Sequence, residues 1–268
     1  MNERQSLRSV AQPAREPFFW ARLYGRRLSW PLTWLFLKTP LSANAISVLS
    51  IVIGAAGGLC FAANALAWNI AAAALILLSW VLDCVDGEVA RARGATSLDG
   101  EFIDACRHQI VAPAMFAGLT LGAHLRHPAA LWLVALGLGA TVFSSRFVGG
   151  MIDQMVLEGV RRALKKGPLP ERAEEPRAPG PPGRRSVADL VRPFFVDFNI
   201  LHILIVAVGL DAAGLRAGVW TPLDLVHIAY GVAFPIVKLG SMARAWRRGV
   251  SGRVDDVLRG RGPDTPHH

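Results

Sequence analysis

The chain is poor in charged residues and in cysteine. Only 18% of its 268 residues are charged, whereas 52% are hydrophobic, and the mean hydropathy is +0.35. This composition excludes an ordinary soluble domain. The three cysteines, Cys60, Cys84 and Cys106, lie in apolar segments without a CxxC pair, which excludes a disulfide framework and a cysteine-rich metal site. The polar, proline-bearing start of the chain also lacks the apolar core of a cleaved signal peptide.

Long apolar runs are what the chain has instead. A helix that spans a bilayer needs about 20 mostly apolar residues. Windows of this kind cover residues 44–65, 68–90, 100–123, 129–150, 197–215 and 221–243, of which 197–215 is the shortest. The sequence therefore predicts an all-α polytopic membrane protein with about six transmembrane helices.

The basic residues are unevenly placed along the chain. Segments with many arginines and lysines flank one end of the predicted spans, while the other end receives only Arg126 and Arg216. This is a positive-inside pattern, so we expect the N-terminus and the 91–98 loop to face the cytoplasm, in a bacterial-type inner or plasma membrane. The net charge of +9 then reflects topology and contact with anionic membrane lipids, and we expect no nucleic-acid partner.

The composition changes along the chain and predicts its organisation. Aromatic and basic residues alternate over 17–38, which is typical of an amphipathic segment at the membrane interface, with Trp20, Trp30 and Trp34 as anchors. Ser42 or Asn44 can cap the first span. The predicted parts are a disordered N-terminus (1–16), the interfacial amphipathic segment (17–38), a transmembrane catalytic domain (39–246) that includes a flexible cytoplasmic loop (about 151–195), and a cytoplasmic tail (247–268).

Two neighbouring spans carry an unusual set of polar residues. Asp83, Asp86, Gly87, Ala90 and Arg91 follow the spacing i, i+3, i+4, i+7, i+8, so they share one helical face.

Gly100, Asp104 and His108 follow at i, i+4 and i+8 on the next helix. The connection 92–99 is short, so the two helices should be antiparallel neighbours with converging acidic faces.

The acidic faces need a positive partner. Each carboxylate at membrane depth costs about 2.5–3.5 kcal/mol even on the lenient insertion scale. Arg91 and Arg107 alone do not explain the spacing, whereas one or two divalent cations would. Oxygen ligands favour Mg²⁺, Mn²⁺ or Ca²⁺, completed by water and substrate phosphates. The simpler alternative is a set of helix-end acids paired with loop arginines.

These residues resemble the signature of the CDP-alcohol phosphatidyltransferases, D-x2-D-G-x2-A-R-x8-G-x3-D-x3-D. Seven fixed positions match, from Asp83 to Asp104, and the last is His108. The resemblance implies transfer of a phosphoryl-alcohol group from a CDP-alcohol to a hydroxyl acceptor, with release of CMP, in phospholipid or lipid-linked glycan synthesis. It also implies a homodimer. By position it assigns metal binding to Asp83, Asp86 and Asp104, the cytidine pocket to Gly87 and Ala90, and phosphate support to Arg91, with Mg²⁺ or Mn²⁺ as the cation.

His108 departs from the family pattern, because the family has its general base, an acid, at this position. An imidazole can accept a proton near neutral pH, and the i+4 spacing from Asp104 directs it to the same site. His108 is therefore a candidate base. Two alternatives stay open. The chain binds a CDP-alcohol with impaired transfer, or His108 only binds substrate and another group is the base.

A few further polar residues in the spans are candidates for substrate contacts. Arg146 and Lys238 can bind a phosphate or snorkel to the interface. Asn44 can touch the nucleotide or cap a helix, and Gly100 leaves room for a ligand. A cation transporter would place acids near mid-bilayer on several helices. The clustering on two helices at one boundary favours an enzyme or a nucleotide-binding protein.

Overall fold

In a computed structural model, the described residues are 3–12, 19–144, 157, 160, 197–248, 254 and 258. The helices are α1 (Glu3–Ala11), α2 (Arg26–Leu37), α3 (Ala43–Cys60), α4 (Leu66–Ala92), α5 (Leu98–Arg126), α6 (Leu131–Ser144), α7 (Asp197–Ala212) and α8 (Pro222–Arg248), with a π-helical turn at Ala21–Gly25 and a 3-10 turn at Phe61–Ala63. Among these residues the extended backbone pairs only in an isolated bridge between Ala217 and Trp220. The predicted all-α class is confirmed.

Helices α3 to α8 coincide with the six apolar windows of the sequence. Within the described ranges, three segments are long and apolar enough to cross a membrane: Ala43–Ala63, Leu66–Ala92 and Pro222–Gly240. Helix α6 and the apolar part of α7 are shorter. Helix α5 has 29 residues but carries acids in its first turn. The polytopic helical architecture is therefore confirmed, while the number of six crossings stays a prediction.

Ser42 begins the first of these helices. Its Oγ accepts a hydrogen bond from the backbone N of Ala45 at 3.2 Å, which satisfies one of the free amides at the start of α3. Asn44 lies inside the first turn of the helix. Of the two candidate caps, Ser42 is therefore the one in use, and the side chain of Asn44 is not needed for capping.

A tight connection joins α4 to α5. Gly94 takes a left-handed conformation with φ of 63°, which ends α4, and the amide of Ala95 donates to the carbonyl of Ala90 at 2.8 Å. Ser97 Oγ then accepts from the amide of Gly100 at 3.2 Å and begins α5. A short connection therefore joins the two motif-bearing helices, as their spacing predicts. Along their length, however, α4 and α5 each pack chiefly against α3 rather than against each other, so the prediction that they are close neighbours holds only near this connection and at the Asp83–Arg107 contact.

Helices α3 and α5 cross at backbone contact. A Cβ built on Gly118 would lie 2.1 Å from the carbonyl oxygen of Gly58, and one on Gly58 would lie 2.6 Å from the amide nitrogen of Met115. Gly54 precedes Gly58 by four residues, and Gly122 follows Gly118 by four. Such pairs of small residues allow membrane helices to approach closely. This crossing holds α3 against the helix that carries Asp104.

The N-terminal segment is more ordered than the sequence predicts. Residues Glu3–Ala11 form α1 in the region expected to be disordered. Trp30 is buried with 6% exposure, and the guanidinium of Arg8 lies 5.7 Å from its ring. Trp20 stacks on His202 of α7 with ring centroids 4.0 Å apart. Trp34 lies beside Trp30, with ring centroids 6.5 Å apart, so all three expected interface anchors contact other side chains of the protein.

A buried ion-pair network lies at the far end of α5. Asp224, fully buried at the start of α8, accepts from Arg126 Nη2 at 2.7 Å and Nε at 3.0 Å. Arg126 Nη1 donates to Asn64 Oδ1 at 2.6 Å, and His127 Nε2 lies 3.1 Å from Asp224. These contacts join the ends of α3 and α5 to the start of α8.

The chain divides into two compact units. The first comprises Met1–Ser145 and Phe194–Phe234, and it contains the motif and the main core. The second comprises Arg146–Pro193 and Pro235–His268, and its longest described stretch is the part of α8 after Phe234. Except for residues 157 and 160, the predicted flexible loop lies outside the described residues.

Candidate active site

The two acids of α4 have separate partners. Asp86 Oδ2 accepts a hydrogen bond of 2.6 Å from Ser47 Oγ, which α3 supplies. Asp83 Oδ1 lies 3.3 Å from Nε of Arg107 on α5. Both aspartates are half-buried. The packing of α3 against α4 therefore places a hydroxyl beside Asp86, and α5 brings a guanidinium to Asp83.

Helix α5 adds Asp104 and His108 to the same place. The Asp104 side chain is 58% exposed and that of His108 is 7% exposed, with His108 Nε2 3.9 Å from Asp104 Oδ1.

Asp83 interacts electrostatically with Asp104 and His108, and it is within hydrogen-bonding reach of the Asp104 carboxyl. Asp86 interacts with both of the other aspartates. The structure thus brings together the three acids and the histidine that the sequence singles out.

Arg107 is buried in the site beside Asp83, whereas the sequence suggests only that it offsets part of the acidic charge. It is 5% exposed, and its Nε makes no hydrogen bond within the described part of the chain although it lies close to Asp83. It lines a cavity of about 30 Å³ with Ile76, Trp80, Val111, Ala112, Met115 and Leu201. The cavity has room for a water molecule. A buried guanidinium thus offsets part of the negative charge of the three aspartates.

The small residues of the motif have distinct neighbours. A Cβ on Gly87 would lie 3.2 Å from a terminal guanidinium nitrogen of Arg91, so Arg91 folds over this glycine. A Cβ on Gly100 would lie 3.5 Å from Asn44 Oδ1, which places these two together where α3 meets α5. Ala90 is half-buried between Gly87 and the end of α4. The glycines and Ala90 keep side-chain bulk away from this face of the hairpin.

The donor chemistry of the site fits a hard divalent cation. Three carboxylates interact with one another and face one buried guanidinium, which leaves an excess of negative charge for an oxygen-preferring ion. In their present positions, no three His, Cys, Asp or Glu side chains of the described residues form a cluster that could hold a metal ion. The ligand set therefore fits by residue type and neighbourhood, without a formed coordination shell.

Glu88 is the site neighbour that sequence reasoning missed. It lies two residues after Asp86, is fully buried, and accepts hydrogen bonds from α2 and from Gln12. A signal was present in the sequence. Arg26, Ser29 and Thr33 are spaced i, i+3 and i+7, so they form one polar face on a helix whose other residues, except the exposed Arg27, are apolar. Such a face predicts a buried acid on the helix that it contacts.

The remaining predicted residues are not placed with this cluster. Arg146 lies outside the described residues. Lys238 is half-buried on the part of α8 that belongs to the second unit. Their predicted contacts with a phosphate stay predictions.

The segment that carries this site matches a known family model. Residues 41–157 match the model of the CDP-alcohol phosphatidyltransferases. The bifunctional IPC transferase and DIPP synthase of Rubrobacter xylanophilus is 38% identical over 108 residues, which are 40% of this chain. The match covers 24% of that relative, so the chain spans about a quarter of its length.

Two crystal structures of the Mycobacterium tuberculosis phosphatidylinositol phosphate synthase PgsA1 share the fold. The complex with CDP-DAG gives a TM-score of 0.52 at 21% identity, covering 82% of this chain and 94% of that one. The complex with manganese and citrate gives 0.51 at 21% identity, covering 81% and 88%. The chain thus shares its fold with these structures, and its residues 41–157, which carry the motif, match the CDP-alcohol phosphatidyltransferase model.

Proposed function

We propose that this protein is an enzyme that transfers a phosphoryl-alcohol group from a CDP-alcohol to a hydroxyl acceptor and releases CMP. The observation that carries the proposal is the convergence of Asp83, Asp86, Asp104 and His108 on one hairpin. That hairpin lies within the residues that match the family. The reaction belongs to phospholipid or lipid-linked glycan synthesis.

In this proposal the three aspartates hold one or two divalent cations, Mg²⁺ or Mn²⁺. The manganese complex of PgsA1 supports this choice of ion. When bound, such a cation neutralises diphosphate oxygens and stabilises the leaving CMP. Ser47 orients the Asp86 carboxylate through its 2.6 Å hydrogen bond, and Arg107 supplies a fixed positive charge beside Asp83.

His108 takes the proton from the acceptor hydroxyl. The acceptor oxygen then bonds to the phosphorus that carries the alcohol, and the bond from that phosphorus to the bridging oxygen of CMP breaks. Asp104 lies 3.9 Å from His108 Nε2, where its negative charge stabilises the imidazolium that forms. The burial of His108 keeps the proton transfer away from bulk water.

The remaining motif positions bind the donor. Gly87 and Ala90 line the cytidine pocket, and Arg91 supports the phosphates. Asn44 and Gly100 border the nucleotide, while Arg146 and Lys238 contact phosphates of donor or acceptor. Because the PgsA1 complex contains CDP-DAG, CDP-diacylglycerol is the first donor to test. The acceptor is a lipid or a polar head group, and the protein is a homodimer whose active site faces the cytoplasm.

A second candidate function follows from the histidine at the last motif position. If an acid is required there, the chain binds a CDP-alcohol without transferring it. The two functions share their donor, so they differ in CMP release and agree in donor binding.

The test is CMP release by the purified full chain with a panel of CDP-alcohols and hydroxyl acceptors, in Mg²⁺ or Mn²⁺. We expect Asp104→Asn to abolish release and His108→Ala to lower it at least about a hundredfold, the range of a lost general base. Asp99→Asn, which alters an exposed acid in the first turn of α5, is the matched control and should retain activity.

The other outcomes separate the candidates. Full activity in His108→Ala would remove the histidine from the role of base. Retained binding of CDP-diacylglycerol without CMP release from any pair would favour the binding protein. Neither binding nor release across the panel would exclude both functions.

A further inference from the structure

The C-terminal end of helix α1 is hydrogen-bonded to α4, the first of the two helices that carry the motif. Gln12 Nε2 donates to Glu88 Oε1 at 3.1 Å and to the carbonyl oxygen of Arg26 at 2.9 Å. Arg8, one turn earlier, donates from Nε to Gln12 Oε1 at 3.1 Å. The side-chain amide of Gln12 is therefore engaged at both of its ends, and it ties α1 to α2 and α4 together.

Glu88 is held by donors alone. Its Oε1 accepts from Arg26 Nη1 at 3.1 Å and from Ser29 Oγ at 2.8 Å, and its Oε2 accepts from Thr33 Oγ1 at 2.6 Å. With the Gln12 amide, four donors meet one fully buried side chain. An ionised carboxylate is acceptor-only and suits this environment, and it also supplies the negative charge that pairs with Arg26. The charge of Glu88 thus fixes the N-terminal segment against α4.

The end of α1 in turn fixes Arg91. Arg91 Nε donates to the carbonyl oxygen of Ala11 at 2.6 Å, and Ala11 is fully buried. Carbonyl groups in the last turn of a helix have no intrahelical partner, so they accept from a cationic side chain readily. The neighbouring Gln12 holds this carbonyl in place. The bond at Nε leaves the terminal nitrogens of Arg91 directed over Gly87.

We infer that Gln12 and Glu88 are positioning residues for the donor site. Through the end of α1 they hold Arg91 in the orientation in which its terminal nitrogens meet the donor phosphates. This inference rests on the proposed function, in which Arg91 supports those phosphates. It makes the N-terminal helix, which lies outside the 41–157 family match, part of the active site.

The first comparison uses single substitutions, with the Michaelis constant for the donor as the readout. Gln12→Ala removes one hydrogen-bonding side chain and should raise KM for CDP-diacylglycerol about three- to tenfold, with kcat within twofold. Glu88→Gln should raise it further, because it removes the negative charge that pairs with the Arg26 guanidinium. Arg27→Ala is the matched control, since Arg27 is the exposed neighbour of Arg26. It should leave KM unchanged.

The deciding measurement repeats Gln12→Ala in an Arg91→Ala background. If Gln12 acts through Arg91, its effect on KM falls below twofold there, because positions coupled through a shared contact are not additive. An equal rise of KM in both backgrounds would overturn the inference. So would a fall in kcat that follows a lower unfolding temperature, since that is the signature of a purely structural role.

Failure of the inference is distinguishable from failure of the proposed function. Consider a wild type that releases CMP, in which Gln12→Ala raises KM equally with and without Arg91. In that case only the inference fails. If the wild type binds CDP-diacylglycerol without transfer, the dissociation constant in detergent micelles replaces KM. It is measured for the same variants and judged by the same criteria. If the wild type neither binds nor transfers, the inference fails together with the function.

Discussion

Ser47 sets the direction of one carboxylate of the site. Its Oγ donates its single hydrogen to Asp86 at 2.6 Å, the shorter of its two contacts, and lies 3.2 Å from the carbonyl oxygen of Ala43. The Asp86 carboxylate is thus held by the Ser47 hydroxyl, and the backbone of Gly87 also donates to it. If Asp86 is a metal ligand, Ser47 is its orienting partner, and such partners commonly contribute tenfold or more to metal affinity.

Ser47→Ala should therefore weaken metal activation without abolishing it. We expect the Mn²⁺ concentration for half-maximal CMP release to rise about tenfold, because the unrestrained Asp86 samples other rotamers. Ser50→Ala is the matched control. Ser50 lies on the same helix, and its Oγ donates to the carbonyl of Ser47 rather than to an acid. An unchanged Mn²⁺ requirement in Ser47→Ala would show that Asp86 is not oriented through this hydroxyl.

For single residues, the sequence predicts which motif side chains meet better than it predicts the contacts of their neighbours. The i, i+3 and i, i+4 intervals were sufficient to predict that Asp83, Asp104 and His108 meet, because helical geometry and a short connection determine it. Glu88 and Arg107 were not predictable in the same way. Their environments depend on which surface of α2, or which cavity, the fold brings to them.

At the scale of elements, the α3–α5 crossing decides where Ser47 and Asn44 stand relative to α5. The contact is backbone to backbone at Gly58 and Gly118, so no side chain can be added there without moving a helix. Helix α7 offers a contrast. A Cβ added at Gly209 would meet nothing within 4 Å.

Gly118→Ala should destabilise the fold, whereas Gly209→Ala should not. A methyl group at Gly118 would clash with the Gly58 carbonyl, and overpacking of this kind costs about 1–3 kcal/mol. At Gly209 the same change should be neutral or slightly stabilising, since alanine favours the helix. Thermal unfolding in detergent measures both. Equal unfolding temperatures for the two variants would contradict a close crossing at Gly118.

The elements were predictable wherever hydrophobicity and caps agree. The apolar windows, the Ser42 cap and the hairpin of α4 and α5 all follow local rules. Helix α1 does not follow them, because nine mostly polar residues are too few to form a stable helix alone. Its order depends on Arg8 against Trp30 and on Gln12 against Glu88, which are contacts between distant parts of the chain.

At the scale of the whole molecule, the Arg126–Asp224 pair joins the end of α5 to the start of α8, at the end of the first unit away from the motif. Asp224→Asn should destabilise the protein by about 3–5 kcal/mol, because it leaves Arg126 without its charge partner in a buried place. Asp211→Asn is the matched control. Asp211 is 7% exposed, but its partner Arg216 is 43% exposed, so water can solvate the guanidinium when the charge of Asp211 is lost, and the cost should be about 1 kcal/mol or less. Similar unfolding temperatures for the two variants would show that the network does not stabilise the fold.

The orientation in the membrane is the last property that the arrangement of charge predicts. Asn64, Arg126 and Asp224 meet at one end of the first unit, so the connection between α4 and α5 lies at the other end. The positive-inside pattern assigns that connection, with Arg91 and Arg93, to the cytoplasm. There a soluble nucleotide and a lipid can both reach the aspartates.

Cysteine labelling tests this orientation and the number of crossings together. The background replaces Cys60, Cys84 and Cys106 by alanine, and single cysteines are placed at the exposed positions Thr96 and Ala213. In intact cells, a membrane-impermeant maleimide should label Ala213→Cys at once and Thr96→Cys only after lysis, because α5, α6 and α7 would make three crossings between them. The opposite labelling pattern would mean that the protein has the inverse orientation, in which cytoplasmic nucleotides cannot reach the site. Labelling of both positions from one side would mean that one of these three helices does not cross, and the short α6 and α7 would be the first to examine.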